Sequence, residues 1–144
     1  MMRVLLILDD IVGKDSKNSD EILQLFANGR HQNISVIILI QDMTFMPTTI
    51  RSNTDLFFTF YNKDNRSKEF VINGFMSGLI DEDDLPTKTE KSDTKISEMK
   101  FLKKLIKDTC QNHQCIVVDY LKNNQNDFRE IVYKYKAPTH KGDE

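Results

Sequence analysis

Two nearly unbroken apolar runs constrain this chain more than any other feature. Residues 3–8 (RVLLIL) and 34–40 (ISVIILI) show no polar–apolar alternation. Each therefore reads as a strand buried on both faces, the pattern of a parallel sheet inside an α/β domain. The first run ends in Asp9-Asp10 and the second in Gln41. Between them, residues 19–28 (SDEILQLFAN) carry the marks of one helix. Ser19 is the N-cap, Asp20 and Glu21 suit the first turn, and Ile22, Leu25 and Phe26 make one apolar stripe. Gly29 is expected to supply the stop.

The same alternation continues. Pro47 opens a short helix to about Arg51, residues 55–61 (DLFFTFY) read as a third strand, and 65–75 (NRSKEFVINGF) as a second full helix. Residues 81–95 hold one apolar side chain, Leu85, and read as an exposed loop. A helix over about 96–109 leads to strands near 115–121 and 128–135. These are joined by the polar turn KNNQND and expected to form an antiparallel hairpin at a sheet edge. The expected organisation is thus a core over 1–80, a loop over 81–95, the last helix and hairpin of the same domain over 96–137, and a mobile tail over 138–144. The fold class is α/β with a mainly parallel sheet and a C-terminal β-hairpin.

Composition narrows the functional classes. The chain has 144 residues, one domain's worth, and a formal charge of -2, which gives it no global attraction to nucleic acid. Two cysteines make no disulfide framework and point to a reducing compartment. Cys110, His113 and Cys115 lie close together without a second ligand pair, so they read as buried thiols beside a helix–strand junction rather than a zinc site. No apolar run has the length of a membrane span and no leader is evident, so the product reads as soluble. Only Met1 and Met2 precede the first strand. An apolar strand without a polar flank belongs in the middle of a sheet, which suggests a piece of a longer chain.

Two features hint at phosphate chemistry. Gly13-Lys14 has Asp15 where a phosphate loop needs Ser or Thr, and no glycine stands five residues earlier, so it reads as a turn. Asp9 and Asp10 leave the carboxyl end of a buried strand, where α/β folds place ligands. The pair reads equally as a magnesium or cation site and as two solvated acids capping a turn. Lys63, Arg66 and Lys68 are interleaved with Asp64 and Glu69 and read as a solvated helix face.

Two families end a strand in such a doublet. Receiver domains of response regulators do, and VIILIQDMTFMP mimics their phospho-acceptor strand, with Asp42 as acceptor. The stretch between Asp10 and Asp42 holds only one helix and one loop, too little for that fold. The FtsK/HerA superfamily of P-loop motors fits better. LLILDD resembles its Walker B strand, and GRHQNISVIILIQ resembles the following arginine, short loop, apolar strand and strand-end glutamine. MPTTIRSNTDLFF resembles the next helix and strand of the viral branch, the genome-packaging ATPases of poxvirus type and their nucleocytoplasmic large-DNA-virus relatives. The resemblance is strongest over 4–75 and looser through CIVVDYL and YKYKAP.

That resemblance implies an ASCE/RecA-like P-loop NTPase fold entered at the Walker B strand. It implies ATP and Mg2+ as cofactors in the intact protein. Asp9 would bind the magnesium through water, and Asp10 would polarise the attacking water where relatives usually carry glutamate. Gln41 would be the sensor amide and Arg30 the finger reaching a neighbouring subunit's ATP, with Arg51 a further inter-subunit candidate. Implied partners are double-stranded DNA, a homo-oligomeric ring, capsid or portal-vertex proteins and an N-terminal half bearing the P-loop, with no membrane. The implied location is the host-cell cytoplasm (virus factory) or the virion. The sequence reads as the C-terminal half of such a motor, inactive by itself. A non-catalytic remnant or interaction module and a receiver-like phospho-switch are the alternatives.

Overall fold

The computed structural model describes residues 3–9, 20–80, 94–122 and 127–138. It is a mixed α/β chain in two compact units, residues 1–54 and 55–144.

In the first unit, β1 (Val4–Asp9) and β2 (Ile34–Leu39) pair in parallel, in register from Val4↔Ile34 to Asp9↔Leu39. Helix α1 (Asp20–Asn28) connects them and packs on β2 and on the short α2 (Thr48–Ser52). The two strand faces differ. Leu6, Leu8, Val36 and Ile38 are half-buried, while Leu5, Ile7, Ile37 and Leu39 remain 45–58% exposed. The expectation of strands buried on both faces therefore fails here, because no second layer covers the odd-numbered side among the described residues. Met46 and Ile50 are the buried apolar pair of this unit.

The helix stop also differs from expectation. After Asn28 the chain tightens into a 3₁₀ turn (Gly29–Gln32), and the left-handed residue is Asn33, at φ 57°. Gly29 instead stands where space is tight. A Cβ there would stand 3.3 Å from the Ile34 carbonyl oxygen.

In the second unit, β3 (Leu56–Thr59), β4 (Gln114–Asp119) and β5 (Val132–Lys136) form one antiparallel sheet in that order. The β4–β5 pairing matches the expected hairpin, although Asp127 caps a helical turn, α5 (Phe128–Ile131), that delays the second strand to Val132. The expectation of a mainly parallel sheet is corrected by β3, which pairs antiparallel with β4. The reason lies in its burial. Phe57 and Thr59 are buried while Leu56, Phe58 and Phe60 are exposed, so β3 is a one-faced strand in an apolar disguise.

The covered face is built by α3 (Asn65–Val71), the π-helical turn Ile72–Met76 into which it runs, and α4 (Thr94–Thr109). Asp64 caps α3, accepting from the Ser67 amide at 2.7 Å, and this bond holds its carboxyl below the usual range. Phe75 stacks on Phe57 with ring centroids 3.9 Å apart. Met76, Leu102, Ile131, Val117 and Val118 are fully buried. Beyond the π turn, Gly78 takes φ 78° and donates its amide to Glu98 Oε1 at 2.9 Å.

The Tyr120 hydroxyl donates to the Phe75 carbonyl, and burial pushes the phenol up to about 12 from 10. A raised folded pKa gives stabilisation that is fully present below the unfolded value and lost as pH rises through the folded one. The melting temperature should therefore fall between pH 10 and about 12. Tyr120→Phe should flatten that fall. An unchanged slope in the variant would show that the loss comes from other groups.

Candidate functional site

The parallel register decides which sequence-chosen residues can meet. Because Asp9 stands opposite Leu39, the carboxyl ends of β1 and β2 coincide. Asp9 is exposed as the last residue of β1, and Gln41 is exposed two residues beyond β2, at the same end. A carboxylate and an amide thus stand exposed at the same end of two adjacent strands. Asp10, Gly13 and Lys14 lie outside the described residues.

Immediately after Gln41 the chain is pinned. Asp42 Oδ1 accepts from the Thr44 amide at 2.9 Å and the Thr44 hydroxyl at 2.7 Å, an Asx turn that starts the 3₁₀ turn Met43–Phe45. That structural use of Asp42 was legible as Asp-x-Thr, a pairing that favours such turns. Pro47 then opens α2, as expected from its ready-set φ. Arg51 on α2 is half-buried, and its Nη2 donates to Thr48 Oγ1 at 3.0 Å.

Arg30 is placed elsewhere. It is exposed in the turn before β2, where the Val4 amide donates to the Asn33 carbonyl at 3.1 Å. It therefore sits at the amino ends of both strands. From Val4 to Asp9 the sheet rises roughly 16 Å at about 3.3 Å per residue. One arginine side chain cannot close that distance, so Arg30 and Asp9 of one chain do not converge.

The other sequence candidates resolve into structure. The Lys68 ammonium lies 5.2 Å from the Tyr61 ring centroid and donates to the Lys63 carbonyl at 3.3 Å, on an exposed helix start. Cys110 and Cys115 are buried free thiols at the α4–β4 junction. The Cys110 thiol donates to the Thr59 carbonyl at 3.4 Å, and burial pushes both thiols above their ordinary value, the opposite of an activated nucleophile. Among the described residues no cluster of metal-ligating side chains forms, and no helix is long and apolar enough to cross a membrane.

Known proteins resemble this chain over the same elements. The family model described as Poxvirus A32 protein matches residues 1–76, which contain β1, β2, Asp9, Arg30 and Gln41. Uncharacterized protein 015R of Frog virus 3 (isolate Goorha) is 26% identical over 136 residues. That alignment covers 94% of this chain and 36% of the relative's length. No solved structure matches.

Proposed function

The chain belongs to the poxvirus A32 protein family, and on that premise we propose that it is the Walker B and sensor part of an ATP-driven motor that packages double-stranded DNA into a viral capsid. The single observation that carries this reading is the in-register parallel pair that brings Asp9 and the Gln41 segment to one sheet end.

The donor set suits Mg-ATP in part. Magnesium prefers hard oxygen ligands with retained water, and an exposed carboxylate at a strand end meets that preference. Asp9 would hold the ion through water, Asp10 would orient the attacking water, and Gln41 would bridge that water and the γ-phosphate. Bound Mg2+ supplies charge neutralisation on the phosphate oxygens. Arg30, a strand length away, would serve the site of a neighbouring subunit in a ring, where its planar fork meets charge developing in the transition state.

The grip on the phosphates is absent from this sequence. None of its five glycines falls in a G-x-x-x-x-G-K-[ST] pattern. A P-loop-bearing polypeptide would supply it. The uncovered odd-numbered face of β1–β2 offers such a body an apolar surface to pack on.

The test is complementation. This chain and a separately expressed P-loop segment of an A32-type protein are assayed alone and mixed, with and without Mg2+. ATP hydrolysis is expected only in the magnesium-containing mixture. A mixture that neither associates nor hydrolyses would favour a non-catalytic interaction module instead.

A further inference from the structure

The charge distribution on α4 does not follow the rest of the chain. At 100° per residue, Lys103, Lys107, Lys100 and Lys104 fall on one stripe about 100° wide, and no acidic residue lies between them. Lys100, Lys104 and Lys107 are exposed; Lys103 is partly exposed and its ammonium reaches Glu69 of α3 at 2.6 Å. Asp108 stands at the margin of the stripe, and Glu98 points to the other side, bonded to Gly78. The opposite face is core, with Leu102 fully buried and Ile106 2% exposed.

Ordinary solvated helix faces mix signs, because like charges three and four residues apart repel. Here the neighbours 100/104, 103/107, 100/103 and 104/107 are all lysine pairs, and Glu69 relieves only the two that involve Lys103. The helix carries that repulsion in a protein whose overall charge is -2. An anionic ligand laid along the stripe would remove it.

We propose that the outer face of α4 is a phosphate-contact site for the backbone of double-stranded nucleic acid. The packaging reading enters only in choosing DNA as the duplex. Three observations select this occupant. The apolar side of α4 is locked in the core, and the one exposed aliphatic side chain near the stripe, Ile96, is too little to insert into a lipid surface. The stripe carries no exposed aromatic on which single-stranded bases would stack. Lysine is depleted from protein–protein interfaces, whereas flexible point charges suit sequence-independent phosphate contact. From Lys100 to Lys107 the helix rises about 10 Å, a length of duplex that presents about six phosphate charges.

The full chain is titrated against a fluorescently labelled 30-base-pair DNA of mixed sequence at about 50 to 200 mM salt. Binding is expected to be sequence-independent and to weaken about 40- to 150-fold over that range, as three or four phosphate contacts require. Lys100→Gln/Lys104→Gln/Lys107→Gln should lower affinity at least tenfold at the lowest salt and cut the log–log salt slope by about 2.7. The matching Lys→Arg triple should keep both, and a Lys63→Gln/Lys68→Gln control should change neither. Thermal melting of the Gln triple should not drop, since repulsion is relieved. The proposal is overturned if the unaltered chain does not bind, if the control loses as much as the Gln triple, if the Arg triple fails like it, or if anionic vesicles bind and DNA does not. None of these measurements involves ATP, so their failure leaves the complementation test untouched.

Discussion

Leu102→Ala is expected to lower stability by about 3 kcal/mol and the urea midpoint by about 2 M. Leu102 is fully buried on the inner face of α4, the helix that packs on β4. Removing its isobutyl group leaves a cavity that a helix packed on a β-sheet cannot collapse into. The lost transfer energy is then joined by lost dispersion contacts around the void. Ile7→Ala is the matched comparison. Ile7 is 58% exposed on the open side of β1, so much of its surface is already in water and the change should cost under about 1 kcal/mol. Both substitutions shorten an aliphatic residue to alanine, and burial is the largest difference between the two positions, since the poorer strand propensity of alanine works against Ile7→Ala. Equal shifts in the two denaturation curves would mean that the odd-numbered face of β1 is covered in solution.

That contrast also marks how far the sequence could be read. The β1–α1–β2 unit was legible because two apolar runs and one amphipathic helix of ordinary length leave a single economical arrangement, strands side by side and parallel. The shared end of Asp9 and Gln41 follows from that arrangement, and so does the position of Arg30 at the other end. The direction of β3 was not legible. In LFFTF the outward residues are as apolar as the inward ones, so the period-two signal that marks a one-faced antiparallel strand is erased. The start of β5 was hidden for a similar reason. Phe128 and Ile131 are residue types that favour strands, and the turn is signalled by their three-residue spacing and by the Asp127 cap, which accepts from the Arg129 amide at 2.9 Å. Asn33 escaped notice because Gly29 is the more familiar helix stop. The deciding fact, the 3.3 Å approach of a would-be Cβ to the Ile34 carbonyl, is tertiary.

If Asp9 anchors magnesium as proposed, Asp9→Asn should reduce the ATPase of the complemented protein at least about a hundredfold, because such anchoring contributes several kcal/mol to phosphoryl transfer. The substitution keeps the shape of the side chain and removes its charge. Because Asp9 is exposed at the end of β1, the fold should be nearly unaffected, so the loss belongs to chemistry rather than to unfolding. Arg30→Ala should also inactivate, but for a different geometric reason. With the two residues at opposite ends of the β1–β2 pair, each site of the proposed ring would take its carboxylate from one subunit and its arginine from the next. Two inactive variants then become informative together. In an equimolar mixture of Asp9→Asn and Arg30→Ala chains, about a quarter of the head-to-tail interfaces join an intact acid to an intact arginine, and activity should recover to about that fraction. A mixture as inactive as its components would remove Arg30 from the shared site. Arg30→Ala chains that are active in the complemented assay without Asp9→Asn chains would show that the phosphate charge is met by another group.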